Sequence, residues 1–65
     1  MKINYRNQQY EFKEGTTLLQ VIGPRELTRI AGVWVNGLSV KKDDCAQFKL
    51  HDRDSVSVIW VCAGG

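Results

Sequence analysis

The chain predicts an α+β fold in which one sheet of four or five strands covers one short helix. Three features carry that prediction. Residues Lys2 to Lys13 hold two strand-length stretches of alternating apolar and polar side chains. The tetrad Thr17-Leu18-Leu19-Gln20 has the pattern of a capping box and opens a helical segment. Beyond it, Asn36-Gly37 divides two short apolar runs, and the strand-like run from Ser55 to Cys62 follows the turn Asp52-Arg53-Asp54. The order ββαβ(β)β leaves a single layer of sheet to cover a single helix.

In chain order, Lys2 to Arg6 sets Ile3 and Tyr5 on one face, with Lys2, Asn4 and Arg6 on the other. Asn7-Gln8 is the expected turn, and Gln9 to Lys13 returns with Tyr10 and Phe12 inward, closed by Glu14-Gly15. The helix from Thr17 offers Leu18, Leu19 and Ile22 for burial. Gly23-Pro24 stops it after about two turns, because Pro24 has no amide hydrogen and disfavours helix at Gly23. Arg25 to Ala31 is expected to add a second short helical turn that buries Leu27 and Ile30. Val33-Trp34-Val35 and Leu38-Ser39-Val40 then form a hairpin about Asn36-Gly37, whose residues tolerate positive φ. Lys41 to Gln47 reads as a loop with a helical turn, and Phe48 to Leu50 as a short strand.

Size and charge exclude several classes of function. A chain of 65 residues forms one domain and buries only about 60% of the surface exposed when unfolded, which leaves little room for a catalytic cleft. A net charge of +2, spread along the chain, is too weak for a nucleic-acid footprint. No apolar run approaches the roughly 20 residues that span a bilayer. With two cysteines and no signal peptide, the thiols are expected reduced and the protein cytoplasmic.

The motifs Met1-Lys2-Ile3-Asn4, Glu14-Gly15-Thr16-Thr17, Val33-Trp34-Val35-Asn36-Gly37, Asp52-Arg53-Asp54 and Val61-Cys62-Ala63-Gly64-Gly65 occur in this order along the whole chain. In that order and spacing the chain resembles the ThiS-like ubiquitin-fold sulfur carriers, with MoaD a more distant relative. The resemblance implies a single β-grasp domain over residues 1–62, with a mixed sheet on one short helix, and a flexible tail over 63–65. It departs from the family between Ile22 and Gly32, where such carriers have a longer helix and this chain has Gly23-Pro24.

What the resemblance implies chemically starts from Gly65. A free α-carboxylate has a pKa near 3.5 and is a poor electrophile at neutral pH, so it must be activated. An E1-like, ThiF-like enzyme would use ATP to adenylate Gly65. Sulfur from a persulfide donor would then displace AMP and leave a thiocarboxylate. An acceptor such as a ThiG-like thiazole synthase would take the sulfur. The protein is then a co-substrate rather than an enzyme, with no bound cofactor. Ala63, Gly64 and Gly65 would thread the partner's channel: the four residues from Cys62 span at most roughly 13 to 14 Å when extended, and glycine puts no Cβ in the way.

Strand parity places a docking patch. With Val33 and Val35 facing the helix, Trp34 faces out. With Val56 and Val58 inward, Ser57, Ile59 and Val61 face out, and Trp60 lies inward or at the rim. Trp34, Ile59 and Val61 are therefore the expected partner-binding patch near the root of the tail.

Plainer readings stand beside these. Cys62 and Cys45 read first as small buried hydrophobes, with sulfur or acyl exchange at Cys62 the sharper alternative. His51 reads as a strand-end residue, and Asp52 and Asp54 as turn residues; none has metal-ligand spacing. For the whole chain the alternatives are a passive β-grasp binding module, whose Gly-Gly is only a flexible end, or a carrier serving molybdopterin or sulfur amino acids.

Overall fold

The computed structural model describes residues 1–61. Strands β1 (Lys2–Tyr5) and β2 (Gln8–Glu11) form the first hairpin. Its turn is Arg6-Asn7, one residue earlier than the sequence suggests, with φ of 54° and 64° at the two positions. Tyr5 then lies opposite Gln8 and Ile3 opposite Tyr10. This register sets Met1 opposite Phe12, and the two exchange hydrogen bonds in both directions, Phe12 N–H to Met1 O at 2.9 Å and the Met1 ammonium to Phe12 O at 2.7 Å.

Helix α1 (Leu18–Ile22) begins where the capping box puts it. The Gln20 N–H donates to Thr17 Oγ1 at 3.3 Å, and the Thr17 N–H donates to Gln20 Oε1 at 2.8 Å. Leu18 and Ile22 are its buried residues. The helix ends at Gly23, whose φ of 92° and ψ of 141° lie where side chains are strained. Pro24 then starts helix α2 (Pro24–Leu27) at its first position, where the missing amide costs nothing.

The expected helical segment from Arg25 to Ala31 is shorter than the sequence suggests. Ile30 is fully buried, but as the first residue of strand β3 (Ile30–Val35), where it gains both a sheet partner and a place in the core. Strand β4 (Leu38–Val40) pairs back through the Asn36-Gly37 turn. A 3-10 turn (Lys42–Asp44) follows, and the expected strand at Phe48 to Leu50 reduces to one bridge between Thr17 and Lys49. Strand β5 (Ser55–Trp60) completes the sheet. It is shorter than the run from Ser55 to Cys62; Val61 donates its N–H to Arg29 O at 2.9 Å, outside the β3–β5 ladder.

The five strands have the order β2-β1-β5-β3-β4. The sheet is mixed, with β1 and β5 parallel and the other neighbours antiparallel. Ile3, Tyr5, Ile30, Val33, Val35 and Val56 cluster with Leu18 and Ile22 of α1, and with Cys45 and Leu50 from the connection before β5. This α+β arrangement, a five-stranded mixed sheet with two short helices, is compatible with a single β-grasp domain. Among the described residues no helix is long and apolar enough to cross a membrane.

Candidate protein-docking face

The face of the sheet away from the core is set by the register of β3 on β5. Val33 lies opposite Val58 and Val35 opposite Val56, so both pairs turn toward the helices. Trp34 lies opposite Ser57 and Gly32 opposite Ile59, which places these four on the outer face. Trp34 is half-buried, yet it stands outside the core cluster. Its indole lies along its own strand over Gly32: a Cβ built on Gly32 would come within 2.9 Å of Trp34 Cη2. Glycine at this position gives the ring its bed.

Ile59 and Val61 are each 55% exposed. Ile59 shares the outer face with Trp34, two residue pairs along the ladder, and Val61 continues the same parity past the end of β5. Trp60 points the other way and sits at the rim, paired with Ile30 across an irregularity that leaves Ala31 as the extra residue of β3. The Arg6 guanidinium carbon lies 5.2 Å from the centre of the Trp60 ring, within cation–π distance. Sequence parity reached Trp60 but not its partner. Arg6 comes near it only because β1 runs parallel to β5, a pairing with no local signal.

The acidic turn before β5 is structural. The Lys2 N–H donates to Asp52 Oδ1 at 2.6 Å, and this bond is the main cause that holds the Asp52 carboxyl below its ordinary value of 3.8, with Arg53 assisting. Asp54 accepts from the His51 N–H at 2.8 Å and from Asn36 Nδ2 at 2.9 Å, while the Ser55 N–H donates to Asn36 Oδ1 at 2.9 Å. These bonds clasp the start of β5 to the β3–β4 turn. His51 itself is exposed.

Cys45 is a free, fully buried thiol in the core cluster. Burial raises its pKa first and the neighbouring Asp44 second, so it is a poor nucleophile. Among the described residues no three His, Cys, Asp or Glu side chains gather to hold a metal ion. Cys62, Ala63, Gly64 and Gly65 lie outside the described residues. In comparisons with known proteins, the chain matches no family model and no curated protein.

Proposed function

We propose that the protein is a sulfur carrier whose Gly65 carboxylate is adenylated by a partner enzyme and converted to a thiocarboxylate, which then donates sulfur in a biosynthetic reaction, formation of a thiazole first among them. The reading takes Gly65 as the terminal residue. One observation supports it above the rest: β5 lies inside the sheet between β1 and β3, and its sequence leads through Val61 directly into Cys62-Ala63-Gly64-Gly65. Held by β1 at its start and by β3 as far as Trp60, that strand is a firm base for a reacting tail.

The steps balance without any group on this chain other than that carboxylate. A carboxylate oxygen of Gly65 attacks the α-phosphorus of ATP, pyrophosphate leaves, and an acyl adenylate forms. A persulfide sulfur attacks the acyl carbon and AMP departs. A thiol then reduces the acyl disulfide to the thiocarboxylate, and the donor's sulfur leaves as a mixed disulfide. The exposed Ile59 and Val61, with the half-buried Trp34 on the same face, would hold the adenylating enzyme beside the tail, since apolar side chains left in solvent near a reacting end favour docking.

The test is ATP–pyrophosphate exchange with an E1-like adenylating enzyme. Exchange should depend on the chain and vanish when Gly65 is deleted or Gly64 is replaced by Val. Exchange that survives both changes would remove Gly65 from the chemistry and leave a passive binding module.

A further inference from the structure

The backbone of β5 has one side that the sheet does not use. The Ser55 carbonyl accepts from the Asn36 N–H at 2.8 Å, and the Val61 N–H donates to Arg29, so the odd-numbered residues of β5 direct their polar groups toward β3. The even-numbered residues direct theirs toward β1, as the bond from the Asn4 N–H to Asp54 O at 3.0 Å shows. Strand β1 pairs only as far as Tyr5 opposite Val56, and then turns away at Arg6-Asn7. Among the described residues no strand pairs with the N–H and C=O groups of Val58 and Trp60 on that side. Such an edge is a template for another extended chain.

The charge beside it has a sign. Arg6 and Asn7 wall an open groove of about 300 Å³ along this edge, with Val56, Ser57, Val58 and Trp60 as its other side. Among the described residues no carboxylate forms an ion pair with Arg6. Its backbone is also held at φ 54°, a strained region for a long side chain, in a turn position that Asn, Asp or Gly fill more easily. A second copy of the chain would bring to this edge another Arg6 and no carboxylate for the first, whereas an acidic segment would supply one.

We propose that the open edge of β5 from Val58 to Trp60 accepts a short extended segment of an acidic partner protein, which adds a strand there and sets a carboxylate on Arg6. Main-chain hydrogen bonds to Val58 and Trp60 supply the register, and the guanidinium supplies the preference for acid. This surface is the edge of the sheet rather than its outer face, and it does not depend on the chemistry of the tail.

The test is a titration of the isotope-labelled chain with a capped pentapeptide alternating valine and aspartate, read by amide resonances. The Val58 and Trp60 amides should move, with half-saturation at roughly millimolar peptide. Arg6→Asn, which suits the positive φ of the turn, should weaken binding roughly three- to tenfold. The same loss should appear when the peptide carries asparagine for aspartate, and the two changes together should cost no more than either alone. A peptide N-methylated on its bonding edge should not bind. No movement of Val58 and Trp60 at about 10 mM peptide, or movement confined to Trp34 and Ile59, overturns the proposal. So does undiminished binding by the N-methylated peptide or by Arg6→Asn. Shifts that follow protein concentration without peptide would assign the edge to a second copy instead.

Discussion

Trp34 and Gly32 sit two residues apart on one face of β3, and the glycine's missing Cβ is what lets the indole lie against the sheet. Gly32→Ala should lift the ring and lower stability by about 1 to 2 kcal/mol, the cost of a modest overpacking. In a Trp60→Phe background, Trp34 emission should shift to the red; unchanged emission would mean the ring is not seated on Gly32. Trp34→Ala should cost less than the roughly 3 to 5 kcal/mol of a fully buried aromatic, because the ring is only half-buried. Asp52 makes a pH-dependent contribution of definite sign. Its carboxyl is depressed in the folded chain, so its stabilisation is present above the ordinary value of 3.8 and is lost as pH falls through the lower folded value. Urea midpoints of Asp52→Asn should therefore fall less steeply than those of the wild type as pH drops below about 4.

At the scale of elements, two connections set the geometry. Gly23 joins α1 to α2 in a conformation that a Cβ strains, so Gly23→Ala should cost on the order of 1 to 3 kcal/mol in chemical unfolding although open space surrounds the position. Asp54→Ala should cost about 1 to 2 kcal/mol by leaving the His51 N–H and Asn36 Nδ2 without their acceptor, and amide exchange should rise first at Ser55 and Asn36. The sequence made some of these elements plain and hid others for physical reasons. Thr17 and Gln20 announce the helix, because both capping bonds are local. Asn36-Gly37 announces its hairpin in the same way. The first hairpin was ambiguous by one residue. Turning at Asn7-Gln8 or at Arg6-Asn7 leaves Ile3, Tyr5, Tyr10 and Phe12 on the same faces, so alternation cannot separate the two. Ile30 misled for a related reason: an isolated apolar residue fits a helical turn or a strand until its partner, here Trp60, is known.

At the scale of the molecule, the core is drawn from β1, α1, β3 and β5 and from Cys45 and Leu50 in the connection before β5, so the three inner strands and the first helix depend on one another. The outer face was legible, since parity alone places Trp34 and Ile59 together once the ladder exists. The free edge of β5 and the approach of Arg6 to Trp60 were not, because both follow from the parallel pairing of residues about fifty positions apart. The same architecture frames the functional reading: a small, fully used core leaves a rigid base, and the reactivity falls to the residues that follow β5. The most direct test of that claim is the intact mass of the chain after incubation with ATP, an adenylating enzyme, a persulfide donor and a thiol reductant. The carrier reading predicts exchange of one oxygen for sulfur, located at Gly65 by fragmentation and absent when Gly65 is deleted. An unchanged mass under conditions where the enzyme converts its own known carrier would contradict it.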